Sequence, residues 1–241
     1  MAERTELPTG TVTLLFTDIE GSTALLERLG DVYGDVLAVH NATLREIWTS
    51  HRGVEVKTDG DAFFVAFEAA TDAVAAAQAG QEALAAVVWP EGAAVRVRMG
   101  MHTGEPRVRD DDYWGSDVHY AARVASAANG GQVLLSNTTA SIVPDVPLTD
   151  LGQHRLKDFG EPRRLYALGT GAQPPPRTLD PLRTNLPSVR GPLFGRDQEL
   201  EEVIARLVGE SRLITLTGAG GNGKTRLALA VAENLLDRLG T

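Results

Sequence analysis

Two sets of residues in this chain of 241 residues have the types and spacing to do chemistry. The first is a pair of carboxylates. Asp18 stands where the apolar, β-branched run from Thr11 to Phe16 gives out, and Asp61 stands just past Asp59-Gly60, a two-residue hairpin signal. If that first run is a strand beside the hairpin, both carboxylates reach one pair of divalent ions, an arrangement suited to phosphoryl or nucleotidyl chemistry. Gly21, Ser22 and Thr23 then read as the cap of a helix starting near Ala24, whose N-terminal amides face a phosphate. Spacing alone leaves a plainer alternative open, with Asp18 capping a turn and Asp61 serving the hairpin. The second set is Gly218-Ala219-Gly220-Gly221-Asn222-Gly223-Lys224-Thr225, which satisfies G-x-x-x-x-G-K-[ST]. A strand from Leu213 to Thr217 and a helix from Arg226 to Leu239 are expected on either side. In that setting backbone amides cradle a phosphate, Lys224 reaches it and Thr225 binds magnesium.

These residues need elements to hold them. Thr11 to Phe16 reads as a central strand, and Val36, Val39, Leu44 and Ile47 recur at helical intervals between Val32 and His51. Gly53 to Thr58 and Asp61 to Phe67 read as a hairpin, Ala70 to Val88 as an alanine-rich helix and Ala94 to Met101 as a strand. Ser116 to Ala128 reads as a helix, with Val133 to Leu135 and Leu165 to Leu168 as closing strands. The order β-α-α-β-β-α-β predicts an α+β fold of the ferredoxin-like, split βαβ type: a mixed, mostly antiparallel sheet covered by helices. Gly169 to Arg190 holds five of the twelve prolines and reads as a semi-extended linker. The expected organisation is a first domain over 1–168, a Pro-rich linker over 169–190, and over 191–241 the beginning of an α/β phosphate-binding domain.

Composition narrows the function. A formal net charge of −9 argues against direct nucleic-acid binding, which needs a basic footprint. The absence of cysteine removes disulfides and thiolate metal sites. The charged start, MAERTELPTG, lacks the apolar core of a signal peptide, and the most apolar stretch, Ala73 to Val88, is too short for a membrane helix. A cytoplasmic protein with no membrane segment is expected. Only Lys57, Lys157 and Lys224 are lysines among 23 basic residues. By itself that imbalance reads as a compositional bias, as a GC-rich coding sequence produces, with Lys224 standing inside the glycine-rich motif.

Further motifs appear in order: Phe16-Thr17-Asp18-Ile19-Glu20-Gly21-Ser22-Thr23; Lys57-Thr58-Asp59-Gly60-Asp61; Asp112-Tyr113-Trp114-Gly115; and Val118-His119-Tyr120-Ala121-Ala122-Arg123. Gly131 to Ser136 and His154 to Asp158 continue the series. Together, over about residues 10–168, they resemble the catalytic domain of class III adenylate cyclases. Taken singly, Lys57 reads as a solvated strand lysine, Asp112 as part of an acidic loop and Arg123 as a surface arginine.

The resemblance implies conversion of ATP to cyclic AMP with two ions, Mg²⁺ or Mn²⁺. Asp18 and Asp61 match the metal-binding aspartates, and the Ile19 carbonyl an additional ligand. Lys57 and Asp112 match the pair that reads adenine, Arg123 the transition-state arginine, and Lys157 a lysine on the terminal phosphates. It also implies a homodimer, with the metal aspartates from one chain and the adenine-reading and transition-state residues from the other. One position departs from the pattern, since His119 stands where these enzymes usually carry asparagine, one helical turn before Arg123. This keeps a second reading in view, a weak or inactive nucleotide-sensing module. The Gly-Gly-Asp/Glu-Glu-Phe hairpin of diguanylate cyclases is absent; Asp59-Gly60-Asp61-Ala62-Phe63 stands there. In the tail, Leu193 to Leu200 resembles the opening of regulatory ATPases of the NB-ARC-like, signal-transducing type. With one helix after the glycine-rich loop, the tail is expected to be a fragment that hydrolyses no ATP.

Overall fold

The computed structural model describes residues 6–178, 196–209, 213–218 and 223–239. The chain divides into two compact units, residues 1–178 and 179–241.

The first unit is built around β1 (Val12–Ile19). Its Leu14 side chain enters one apolar cluster and Leu15 and Ile19 another, so the strand is buried on both faces and reads as a nearly continuous apolar run. Antiparallel partners flank it: β3 (Ala62–Phe67), joined to β2 (Val54–Asp59), on one side and β4 (Val97–Gly104) on the other. β4 pairs in parallel with β7 (Val133–Ser136), followed by β9 (Arg163–Leu168) and β8 (Leu148–His154). The sheet order is β2-β3-β1-β4-β7-β9-β8, whose first four strands have the split βαβ arrangement. A separate ribbon, β5 (Arg107–Arg109) with β6 (Asp112–Trp114), was not expected from the sequence; each strand has only three residues, too few to show alternation. Nor were α5 (Asn137–Ile142) and β8 expected, a one-turn helix and a strand interrupted by a bulge at Asp150 to Gly152.

Helices cover both faces. α1 (Ser22–Leu29), α2 (Tyr33–Ser50) and α3 (Ala70–Ala86) pack on one apolar cluster with Leu15, Val65 and Met101. The buried row of α2 is Val36, His40, Leu44 and Trp48, spaced by four. A purely apolar reading selects Val39 instead, which is 37% exposed, because it passes over a core histidine. α4 (Ser116–Ser126) covers the other face. It comes so close to β4 that a Cβ on Gly100 would lie 2.2 Å from the Ala125 backbone nitrogen, so only glycine fits there.

Two expectations require correction. The hairpin turn is Gly60-Asp61, not Asp59-Gly60, because Asp59 pairs with Ala62. Gly60 alone takes positive φ, at 59°, and Asp61 sits in the turn itself. The segment from Gly169 is not free linker throughout. Residues 174–178 bind the first unit, with Pro176 buried and the Arg177 amide donating to the Ala127 carbonyl at 2.7 Å. Fixed prolines lose little entropy on docking, which favours such a strap. Residues 179–190 lie outside the described residues.

In the second unit α6 (Asp197–Val208) and α7 (Lys224–Leu239) pack through buried Ile204, Leu227 and Val231. The described residues 213–218 form no strand, and Leu213 is 84% exposed. A strand needs a paired neighbour, and no other strand is present among this unit's described residues. Residues 193–195 of the ATPase-like motif and Ala219 to Asn222 of the glycine-rich loop lie outside the described residues.

Candidate active site

Asp18 and Asp61 come together through the backbone. Asp18 lies inside β1, one residue before its end, directly opposite Arg98 on β4. Strand alternation gives Asp18 the same face as Leu14 and Phe16, the face covered by α4. Arg98 grips it in a fork: Nε donates to Oδ1 at 2.7 Å and Nη2 donates to Oδ2. Asp61 reaches in from its turn, where Oδ2 accepts the Ile19 amide at 2.7 Å. The turn is braced from behind by Asn41 of α2, whose Nδ2 donates to the Gly60 carbonyl at 3.3 Å. Arg98 was missed by sequence reasoning. The available signal was the alternation of β4, which gives Arg98, Gly100 and His102 one face.

Beside the Arg98 guanidinium, the groups here able to ligate a metal are oxygens, the chemistry that hard cations such as Mg²⁺ and Mn²⁺ select. Each Asp18 oxygen accepts one hydrogen bond from Arg98, and Asp61 Oδ2 one from Ile19, so both carboxylates keep acceptor capacity. The residues therefore fit a divalent ion. No group of three or more His, Cys, Asp or Glu side chains forms a metal cluster among the described residues. Two carboxylates and a carbonyl leave coordination positions for phosphate oxygens and water, as Mg²⁺ prefers.

The chain then turns through Gly21, at φ 68°, into α1. The expected side-chain cap is not made: Gly21 itself is the cap residue, and Ser22 and Thr23 are the first helical residues. No side-chain cap takes the first-turn amides and no acidic residue stands there, so they remain donors for a phosphate.

The other candidate residues form separate groups. Arg123 on α4 is paired through Nη2 with Asp158 Oδ2, and Asp158 holds a left-handed φ of 67°. Lys157, beside it, is exposed, as is His119 one helical turn before Arg123. Asp158 was also missed, although it lies in the motif that supplied Lys157. Lys57 on β2 and Asp112 on β6 are both exposed. Asp112 is held in place by its neighbour Tyr113, whose hydroxyl donates to the Pro8 carbonyl at 2.5 Å and whose ring lies 5.9 Å from Phe64. Burial pushes the Tyr113 hydroxyl up to about 12. A cleft of about 490 Å³ lies between Asp112, Tyr113, Trp114, Arg109 and Asp110. No hydrogen bond or ion pair among the described residues joins Lys57, Asp112, His119 or Arg123 to Asp18 or Asp61.

A buried polar network ties α4 to the sheet. His102 shares a hydrogen bond of 2.8 Å between Nδ1 and Ser136 Oγ, and its Nε2 lies 3.4 Å from Asp117 Oδ1. Its ring lies 4.5 Å from Tyr120. Burial lowers the His102 pKa below the ordinary histidine value, with Arg163 acting in the same direction and Asp117 opposing.

In the second unit Gly218 and Gly223 have φ of 152° and 68°, and Lys224 Nζ donates to the Gly218 carbonyl at 2.8 Å. Thr225 is exposed in the first turn of α7.

Residues 5–169 match the adenylate and guanylate cyclase catalytic domain, and the chain belongs to that family. An uncharacterized protein of Mycobacterium tuberculosis is 38% identical over 168 residues, which cover 67% of this chain and 56% of that protein. The receptor-type adenylate cyclase GRESAG 4.3 of Trypanosoma brucei brucei is 33% identical over 208 residues, with 67% of this chain and 17% of that protein covered. The chain thus spans little more than half the mycobacterial relative's length. A monomeric adenylate cyclase structure from Trypanosoma brucei superposes with a TM-score of 0.65 at 31% identity, over 72% of this chain and 97% of the other. The adenylyl cyclase CyaB from P. aeruginosa gives 0.55 at 28% identity, over 68% and 95%. The guanylate cyclase domain of RhGC from Catenaria anguillulae, at 21% identity and a TM-score of 0.60, shares the fold. Cyclases of this family use divalent metal ions. No helix among the described residues is long and apolar enough to cross a membrane.

Proposed function

We propose that the first unit converts ATP to 3′,5′-cyclic AMP and pyrophosphate at a homodimer interface, with two Mg²⁺ or Mn²⁺ ions bound by Asp18, Asp61 and the Ile19 carbonyl. The observation that carries this reading is the hydrogen bond from the Ile19 amide to Asp61, which fixes the second carboxylate one peptide away from the first. Bound divalent ions supply charge neutralisation and acidify the ribose 3′-hydroxyl. The chain's own residues do the rest. The Ser22 and Thr23 amides and Arg98 receive phosphate oxygens. From the partner copy, Arg123 stabilises charge developing in the transition state, and Lys157 holds the terminal phosphate. Lys57 donates to an adenine ring nitrogen and Asp112 accepts from its exocyclic amine. Guanine presents the opposite pattern, so the pair selects ATP, in line with the adenylate cyclases among the relatives. With ATP as substrate, the cytoplasm is the compartment this reading expects.

A second reading rests on exposed His119. An imidazole ring is larger than the usual asparagine amide and offers a different set of donors and acceptors, so in this reading the unit is a weak cyclase-like module that regulates a fused ATPase. In both readings residues 191–241 begin a P-loop domain of the NB-ARC-like type, following a linker. Gly218, Gly223, Lys224 and Thr225 hold its nucleotide phosphates.

The test measures cyclic AMP from ATP, and cyclic GMP from GTP, with Mg²⁺ and with Mn²⁺. Wild type should form cyclic AMP, Asp18→Ala at least about 100-fold less, and His119→Asn at least as much as wild type. Tight ATP binding without turnover, unrescued by His119→Asn, would favour the sensing module. Cyclic GMP as the main product would overturn the assignment of Lys57 and Asp112.

A further inference from the structure

The strap after β9 meets the catalytic unit at four points. The Asn129 side-chain amide donates to the Pro175 carbonyl at 3.0 Å, and that of Gln132 donates to the Pro174 carbonyl at 3.1 Å. The Arg177 amide donates to the Ala127 carbonyl at 2.7 Å, at the C-terminal end of α4. Thr178 Oγ1 and His154 Nδ1 share a hydrogen bond of 3.0 Å. A fifth contact leaves this surface: Arg177 Nη1 donates to Glu20 Oε1 at 3.0 Å.

Glu20 has a special place. It lies between Ile19, whose amide binds Asp61, and Gly21, which caps α1. Its own amide is fixed to the Arg96 carbonyl at 2.8 Å. Its side chain also packs over Gly130, just beyond α4, where an added Cβ would lie 2.6 Å from Glu20 Oε2. One residue of the strap thus holds two parts of the site at once, the turn beside the carboxylate pair by its side chain and the end of the Arg123 helix by its amide.

We propose that Arg177 is a positioning residue for the cyclase site, and that residues 174–178 set the alignment of the Ile19 to Gly21 turn with α4. The proposal rests on the cyclase reading above for its catalytic consequence. A plain tether would need only the contacts to Asn129, Gln132 and His154. The Glu20 contact adds nothing to tethering, but a change in it moves the turn on which Ile19 presents its carbonyl.

The test uses the full chain with Arg177→Ala, Arg177→Glu, Arg177→Lys and the swap Arg177→Glu with Glu20→Arg. Hydrogen exchange of residues 19–25 and 124–131 and Mn²⁺ binding without nucleotide, followed by electron paramagnetic resonance, are read beside kcat and KM for ATP. Arg177→Ala and Arg177→Glu should speed exchange in both segments and raise the Mn²⁺ concentration for half-saturation about fivefold, a coupling of ordinary size. They should lower kcat more than they raise KM. The melting temperature should hardly move, because a half-exposed ion pair adds little stability. Arg177→Lys and the swap should recover most of each loss. Unchanged exchange and Mn²⁺ binding in Arg177→Glu would overturn the proposal, as would a swap no better than Arg177→Glu alone. A wild-type chain that forms no cyclic nucleotide sinks the cyclase reading instead, and exchange and Mn²⁺ binding still decide the role of Arg177.

Discussion

The carboxylate pair and the exposed residues Lys57, Asp112 and His119 are built in opposite ways. Asp18 sits on a strand buried on both faces, its carboxylate gripped by the cross-strand Arg98, and Asp61 is tied to the same strand by a backbone amide. Lys57 lies on the outermost strand of the sheet's β2 edge, Asp112 on a three-residue strand outside it, and His119 on the open side of α4. The first group is finished within one chain. The second is displayed outward, with no hydrogen bond or ion pair to the first among the described residues. A site assembled from the two across a dimer would have one rigid half and one half completed by the partner.

Four measurements can break or sharpen this contrast. Removing a carboxylate should cost most: Asp18→Ala or Asp61→Ala should lower turnover on the order of 100- to 1,000-fold, the usual cost of one preorganised electrostatic group, with both proteins still folded by circular dichroism. Mixing two inactive variants, Asp18→Ala and Arg123→Ala, comes next. If the halves belong to different chains, half of the dimers are mixed, each with one intact site of two, and about a quarter of the wild-type activity returns. A mixture that stays inactive would mean that each chain holds a whole site.

The third measurement concerns Gly100, where α4 rests on β4. Gly100→Ala forces a methyl group against the Ala125 backbone and should destabilise the unit by about 1–3 kcal/mol in denaturant melts, with lower turnover as Arg123 moves outward. The smallest effect is a pH dependence. His102 and His40 are buried, and burial lowers both pKa values from 6.5 in the folded chain. The unfolded chain therefore takes up these protons first. Above that pH both states carry neutral rings; below it stability falls as pH drops toward the folded values, by at most about 1.4 kcal/mol per pH unit for each ring. His102→Gln should reduce that slope by one ring's share in thermal melts.

The parts of the fold visible in the sequence were those whose pattern is local. β1 showed because burial on both faces demands an unbroken apolar run, and α3 because small residues recur toward the sheet. α2 showed as a helix, but its core row did not, since His40 belongs to it and is polar. The β5-β6 ribbon is too short to carry a period. At the site, Asp18 and Asp61 were legible from position and motif. Arg98 and Asp158 were not, because their roles depend on which strand lies across and which turn folds over α4. The strap was invisible for a related reason: proline-rich composition reads as linker whether or not side chains elsewhere reach its carbonyls.

The burial of β1 bears on how such a site can be controlled. A strand with neighbours on both edges and apolar clusters on both faces opens only when the whole unit opens. The Asp18 half of the pair cannot be turned off by melting a segment, since freeing that carboxylate from its place would mean opening the centre of the sheet. Control has to work through parts of low local stability, the turn at Glu20, the exposed face of α4 and the meeting of two chains. The centre of the sheet acts as a fixed datum, and the periphery as the adjustable instrument.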